Sequence, residues 1–191
     1  MKAENQTKVS FGMEATVMTT VRAAIFSRLY DIAKEHRDIA KNIEGKDRKT
    51  ETKEAMISIL FAYTTLEAYI NAVGTDNLGN EWSQNNMLQD SLESKWLNVS
   101  KSVATKKLGK QFSVFNKKRE PFKSFLRLKT IREENLIHWK AEASEPIITK
   151  YNVLEDQTIA VFNATIANWA CDTVKQMVNV VNPYVDKPLW E

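Results

Sequence analysis

Arg132 and His138 are the two side chains of this 191-residue chain whose types and spacing ask for a joint explanation. A guanidinium keeps its charge throughout the physiological range and presents a flat fork of donors that matches a phosphate, whereas an imidazole gains or loses a proton near neutrality. An anion holder close to a proton carrier is suited to cleaving a phosphodiester. The chain has only two histidines. His36 falls one turn after Ile32 on an apolar stripe, where a packing role is the expectation, while His138 closes the run Ile131-Arg-Glu-Glu-Asn-Leu-Ile-His-Trp139. No Walker loop, glycine-rich nucleotide fingerprint or cluster of metal ligands accompanies them, so neither a metal nor a cofactor is expected.

The elements that must hold this pair are helical. Five Gly, four Pro, 43% hydrophobic and 27% charged residues describe an ordered chain of long helices, and the length suits one domain over 1–191 with its own core. A first stripe runs Met18, Val21, Ile25, Leu29, Ile32, His36, Ala40, Ile43 and ends at Gly45. The second and most apolar helix, about 51–73, carries Met56, Ile59, Leu60, Tyr63, Leu66, Ile70 and Val73, with Gly74 as its cap and a loop over 75–89. Asp90-Ser-Leu-Glu93 reads as a capping box with Asp90 as the cap, ahead of the stripe Leu92, Trp96, Val99, Val103. Pro121 opens the helix of Phe122, Phe125, Leu128 and Ile131, and an extended link with a short strand follows from Pro146. Asn152-Val-Leu-Glu155 reads as the start of a last helix to Val181, stopped by Pro183. The sum is an all-α bundle of four long helices and a shorter one, with 1–12 expected to be flexible and 183–191 an apolar tail.

Charge is uneven. Ten basic residues and one acid, Glu120, lie between Lys101 and Lys129, a local +9 in a chain of net +3. Lys117, Lys118, Arg119, Lys123 and Arg127 are the expected contacts to a polyanion such as RNA. Phe112 and Phe115, interleaved with these lysines, suit either base stacking or pinning a loop to the core, the second being favoured. The lone Cys171 excludes an internal disulfide and, with no signal peptide and no apolar run near ~18 residues, the expectation is a cytoplasmic protein without a membrane span.

At roughly 100° per residue, Arg132 and His138 lie about 120° apart on a straight helix. A shared site therefore needs a helix end or bend between them, or a second copy across a two-fold axis. Thr64, Glu67 and Asn71 share one stripe of the second helix, which is either a solvated face or a polar ledge beside the site.

Arg132-Glu-Glu-Asn-Leu-Ile-His138, after Phe125-Leu-Arg-Leu-Lys-Thr-Ile131, resembles the Arg-x4-6-His signature of the HEPN superfamily, and Phe61-Ala-Tyr-Thr-Thr-Leu-Glu-Ala-Tyr-Ile-Asn71 is similar to the second helix of its bacterial families. Glu133 departs from the Asn, Asp or His usual after the Arg. The resemblance implies metal-independent cleavage of RNA, with Arg132 and His138 catalytic and Glu67, Asn71, Glu133 and Asn135 in support. It further implies a homodimer, possession of an antitoxin or other protein partner, and work as a toxin or phage-defence effector. The alternative is a non-catalytic helical dimerisation module that binds RNA or a protein, with Arg132 and His138 as a structural pair.

Overall fold

The computed structural model describes residues 25–84, 87–137, 146–148, 154–156 and 160–186. It is an all-α bundle with one small β-ribbon. Helix α1 is described over 25–43, and α2 spans Arg48–Leu78, followed by the short α3, Asn80–Gln84. Helix α4 is Leu92–Leu108 and α5 is Phe122–Thr130, which runs straight into a π-helix, Ile131–Ile137. Strands β1, Pro146–Ile148, and β2, Leu154–Asp156, pair antiparallel with Ile147 opposite Glu155, and α6 is Ala164–Val181.

Helix α2 is the axis of the bundle. Its buried positions, including Ala55, Ile59, Ala62, Leu66, Tyr69, Ile70 and Val73, face several directions rather than one stripe, because α6, α4, α5 and the π-helix all pack on it. Among the described residues it alone is long and apolar enough to cross a membrane, yet just over half of that stretch is buried inside the bundle. Its polar residues tie the layers together. Ser58 Oγ donates to the Ala33 carbonyl at 2.8 Å, and Arg48 donates to the Phe162 carbonyl at 2.8 Å. The fully buried Glu51 accepts the Ala164 N–H at 3.1 Å, satisfying a donor of the first turn of α6. A linked set of rings fills the other side of the core. Phe26 meets Tyr69 edge-on, Tyr69 stacks on Trp96 at 5.8 Å, and Trp96 meets Phe115 and Phe125.

Several sequence expectations need correction. Ala40 is buried as expected, but the rest of the buried face of α1 is Phe26, Tyr30 and Ala33, each one position after the expected Ile25, Leu29 and Ile32, and Ile25 is half exposed. On α2, Ile59, Tyr63, Leu66, Ile70 and Val73 are buried as expected, while Leu60 is partly exposed. Gly74 does not cap α2, which runs a further turn to Leu78. A Cβ at position 74 would stand 2.5 Å from the Trp82 ring, so this glycine is there to admit an indole from α3. The segment expected as loop thus holds the end of α2, α3 and a 3₁₀ turn, Met87–Gln89. Ser91, not Asp90, caps α4, accepting the Ser94 N–H, while Asp90 accepts from Asn98 at 3.1 Å. The last helix begins at Ala164 under an Asn163 cap, because Leu154–Asp156 pairs as a strand with Pro146–Ile148. Residues 1–12, Tyr151, Leu189 and Trp190 lie outside the described residues.

His36 is a packing residue with a partner. Its Nδ1 lies 2.5 Å from Glu54 Oε2, whose other oxygen pairs with Lys53 at 2.8 Å. Burial pushes the Glu54 carboxyl up, but hydrogen bonds from Lys53 and His36 outweigh it and hold the group below its usual range. A carboxyl with a depressed folded pKa stabilises the fold above its unfolded value of 4.5, and that contribution is lost as pH falls through the folded one. Glu54→Gln is expected to flatten the fall of urea midpoint on acidification below that pH; an unchanged slope contradicts the assignment. Gly74→Ala is expected to destabilise the fold by about 1–3 kcal/mol through overpacking against Trp82, measured by chemical denaturation.

Candidate functional site

The winding of the chain changes where the Arg132 motif begins. Helix α5 ends at Thr130; the N–H of Ile131 is shared between the Arg127 and Leu128 carbonyls, and from Ile131 the chain coils as a π-helix with i→i+5 bonds. Ile131 is buried and anchors the junction on the core. A π turn takes roughly one residue more than an α turn, so side-chain directions after Ile131 no longer follow the α period. His138 lies outside the described residues, as does the side chain of Asn135.

Arg132 reaches across to α2. Its guanidinium carbon is 4.9 Å from the centre of the Tyr63 ring, a cation–π contact, and its Nε is buried without a hydrogen-bond partner. No carboxylate among the described residues pairs with it. Glu133, the neighbour that departs from the usual motif, lies 3.8 Å from Lys129 instead, one turn back.

Tyr63 joins the pieces. Its hydroxyl is pushed up to about 12, chiefly by burial, with Glu133 and Glu67 adding to the rise and Arg132 opposing it. Glu67 stands one turn beyond Tyr63 on α2, so the ring, two carboxylates and the guanidinium form one polar ledge. Asn71 continues the ledge by another turn. Its side-chain oxygen is buried with no partner, beside a small groove of about 220 Å³ that Ile25 and Thr75 also line. The structure therefore gathers Arg132, Glu133 and Glu67 about Tyr63, with Asn71 on the same face. Sequence pattern marks Tyr63 only as core; its position four residues before Glu67 is the available signal.

The expected RNA contacts divide. All five are exposed, and Lys117 among them pairs with Glu93 at 2.5 Å. Arg127 also lies over the Trp169 ring at 5.3 Å. Phe115 is buried between Trp96 and Phe122 and pins the basic loop, as favoured, while Phe112 rests half-open against Tyr184. Among the described residues no group of three His, Cys, Asp or Glu side chains is placed to hold a metal ion.

In comparisons with known proteins the chain matches no family model, no curated protein and no solved structure.

An alkaline absorbance titration gives a direct check on the ledge. Arg132→Gln removes the cation that lowers the Tyr63 hydroxyl and is expected to move its phenolate to still higher pH, while Glu133→Gln moves it lower. Identical curves would place these groups away from the ring.

Proposed function

We propose that this chain is a metal-independent endoribonuclease of HEPN type. The observation that supports it best is the state of Arg132, a guanidinium held in place by an aromatic ring yet engaged by no acid among the described residues, with a buried donor left open. An unmatched charged donor costs on the order of 1–3 kcal/mol, which an incoming phosphate would offset. On this reading Arg132 binds the non-bridging oxygens of the scissile phosphate and stabilises charge in the transition state. His138 takes the proton of the ribose 2′-hydroxyl as its oxygen bonds to phosphorus. The bond to the 5′-oxygen breaks, and that oxygen receives a proton, giving a 2′,3′-cyclic phosphate and a 5′-hydroxyl. RNA is then the substrate because DNA lacks the nucleophile.

Glu67, Asn71, Glu133 and Asn135 are positioning residues in this scheme, and Lys117, Lys118, Arg119, Lys123 and Arg127 supply affinity for the backbone. A homodimer completes the cleft with a second Arg and His. The protein works in the cytoplasm as a toxin or phage-defence effector restrained by an antitoxin or another protein partner. A second reading rests on the same Tyr63 contact taken as packing: a non-catalytic helical module that dimerises and binds RNA or a protein.

RNA cleavage in EDTA by wild type, His138→Ala and Arg132→Ala separates the two. The nuclease reading expects a loss of about 10²-fold or more in each variant. Equal cleavage by all three proteins, or none by any across varied RNAs, overturns it.

A further inference from the structure

The ten cations of the Lys101–Lys129 window are not equivalent. Lys106 donates to the Asn77 carbonyl at 2.9 Å, Lys107 pairs with Asp186 at 3.6 Å, and Lys117 and Lys129 both reach Glu93. Arg127 stacks on Trp169. The side chains of Lys101, Lys110, Lys118, Arg119 and Lys123 have no partner among the described residues. Two of these, Lys118 and Arg119, are consecutive and line the same cleft, an open space of about 820 Å³ between the loop 113–121 and Val180 of α6. That volume falls within the ~300–1,000 Å³ of small-ligand sites.

The walls of the cleft are built rather than loose. Phe115 is locked among Trp96 and Phe122, and the Asn116 side chain accepts the Lys118 N–H at 2.9 Å while its carbonyl accepts the Arg119 N–H at 3.0 Å. The acid of the lining, Glu120, is turned to the Ser124 N–H at 3.0 Å. Cations held on a fixed loop lose less freedom on binding an anion than cations on a mobile one. Phe115, Pro121 and Val180 add apolar surface to the same wall.

We propose that this cleft is an anion site for a nucleotide-sized phosphorylated ligand, its phosphate held by Lys118 and Arg119 and its apolar part against the Phe115–Pro121 wall. The assignment sharpens the RNA-binding part of the function proposed above and is independent of cleavage at Arg132. The phosphate has two possible sources, a free nucleotide or the terminal nucleotide of an RNA.

Calorimetric titration of the full chain tests it, with ADP, pyrophosphate, and one short RNA carrying either a 5′-phosphate or a 5′-hydroxyl as probes. Lys118→Ala/Arg119→Ala is expected to weaken binding of the phosphorylated probes about ten-fold or more, the loss of one or two charge-assisted hydrogen bonds. Lys101→Ala/Lys110→Ala, which removes the same charge elsewhere, is expected to change it by less than about two-fold. ADP tighter than pyrophosphate and phosphorylated RNA assigns a free nucleotide; phosphorylated RNA tighter than both ADP and hydroxyl RNA assigns a terminal phosphate. Cleavage in EDTA and the ratio of ADP affinities between the two double variants are separate readouts, so either idea can fail alone. No binding of any phosphorylated probe by wild type, or equal weakening in the two double variants, overturns the site.

Discussion

Burial of α2 from several directions is the constraint on which the rest depends. A helix enclosed in this way cannot carry a conventional polar face, so its few polar side chains must find fixed partners or stand at a boundary with water. Near its start they do the former: Arg48 and Glu51 tie α2 to the entry of α6, and Ser58 ties it to α1. From Tyr63 to Asn71 they do the latter, and it is there that the π-helix delivers Arg132.

A second constraint runs through the rings. Tyr69, Trp96, Phe115, Phe122 and Phe125 touch in sequence, joining α2, α4, the basic loop and α5 into one rigid unit. Each such pair contributes about 0.5–1.5 kcal/mol beyond simple burial. The lattice also tolerates an unmatched donor, since the Trp96 Nε1 is buried without an acceptor. The loop that presents Lys118 and Arg119 is therefore anchored through Phe115 to the deepest part of the core, and its cations are displayed from a stiff base.

Helix identity is legible where apolar spacing is long and uninterrupted. Trp96, Val99 and Val103 on α4, and Phe122, Phe125, Leu128 and Ile131 around α5, fall on their expected inner faces. Three physical effects hide the remainder. The phase of α1 is ambiguous because Ile25 and Ile32 compete with Phe26 and Ala33 for the inner face, and a small alanine lets two helices approach closely. Gly74 carries the sequence mark of a helix end, and only the fold reveals that an indole occupies the space of its absent side chain. A three-residue strand lies below the length at which alternation can be read, so Leu154–Asp156 passes for a helix start, whereas its partner Pro146–Ile148 falls where an extended link with a short strand is expected. Of the site, the stripe of Glu67 and Asn71 can be inferred from spacing, as can the condition that Arg132 and His138 share a site only with a helix end, a bend or a second copy. The ring of Tyr63 beneath Arg132 cannot, because an aromatic residue on a core helix looks the same whether it faces a leucine or a guanidinium.

The π-helix has a consequence for how the chain tolerates insertions and deletions. Seven residues from Ile131 to Ile137 are wound where an α-helix making the same number of turns would need fewer. One residue in this stretch is thus surplus to α-helical register. Its removal would let the segment relax to ordinary winding, at little cost to the hydrogen-bond ladder, while rotating everything downstream by about a quarter of a turn or more. Helical register, rather than the identity of any one side chain, is the property this segment holds in reserve.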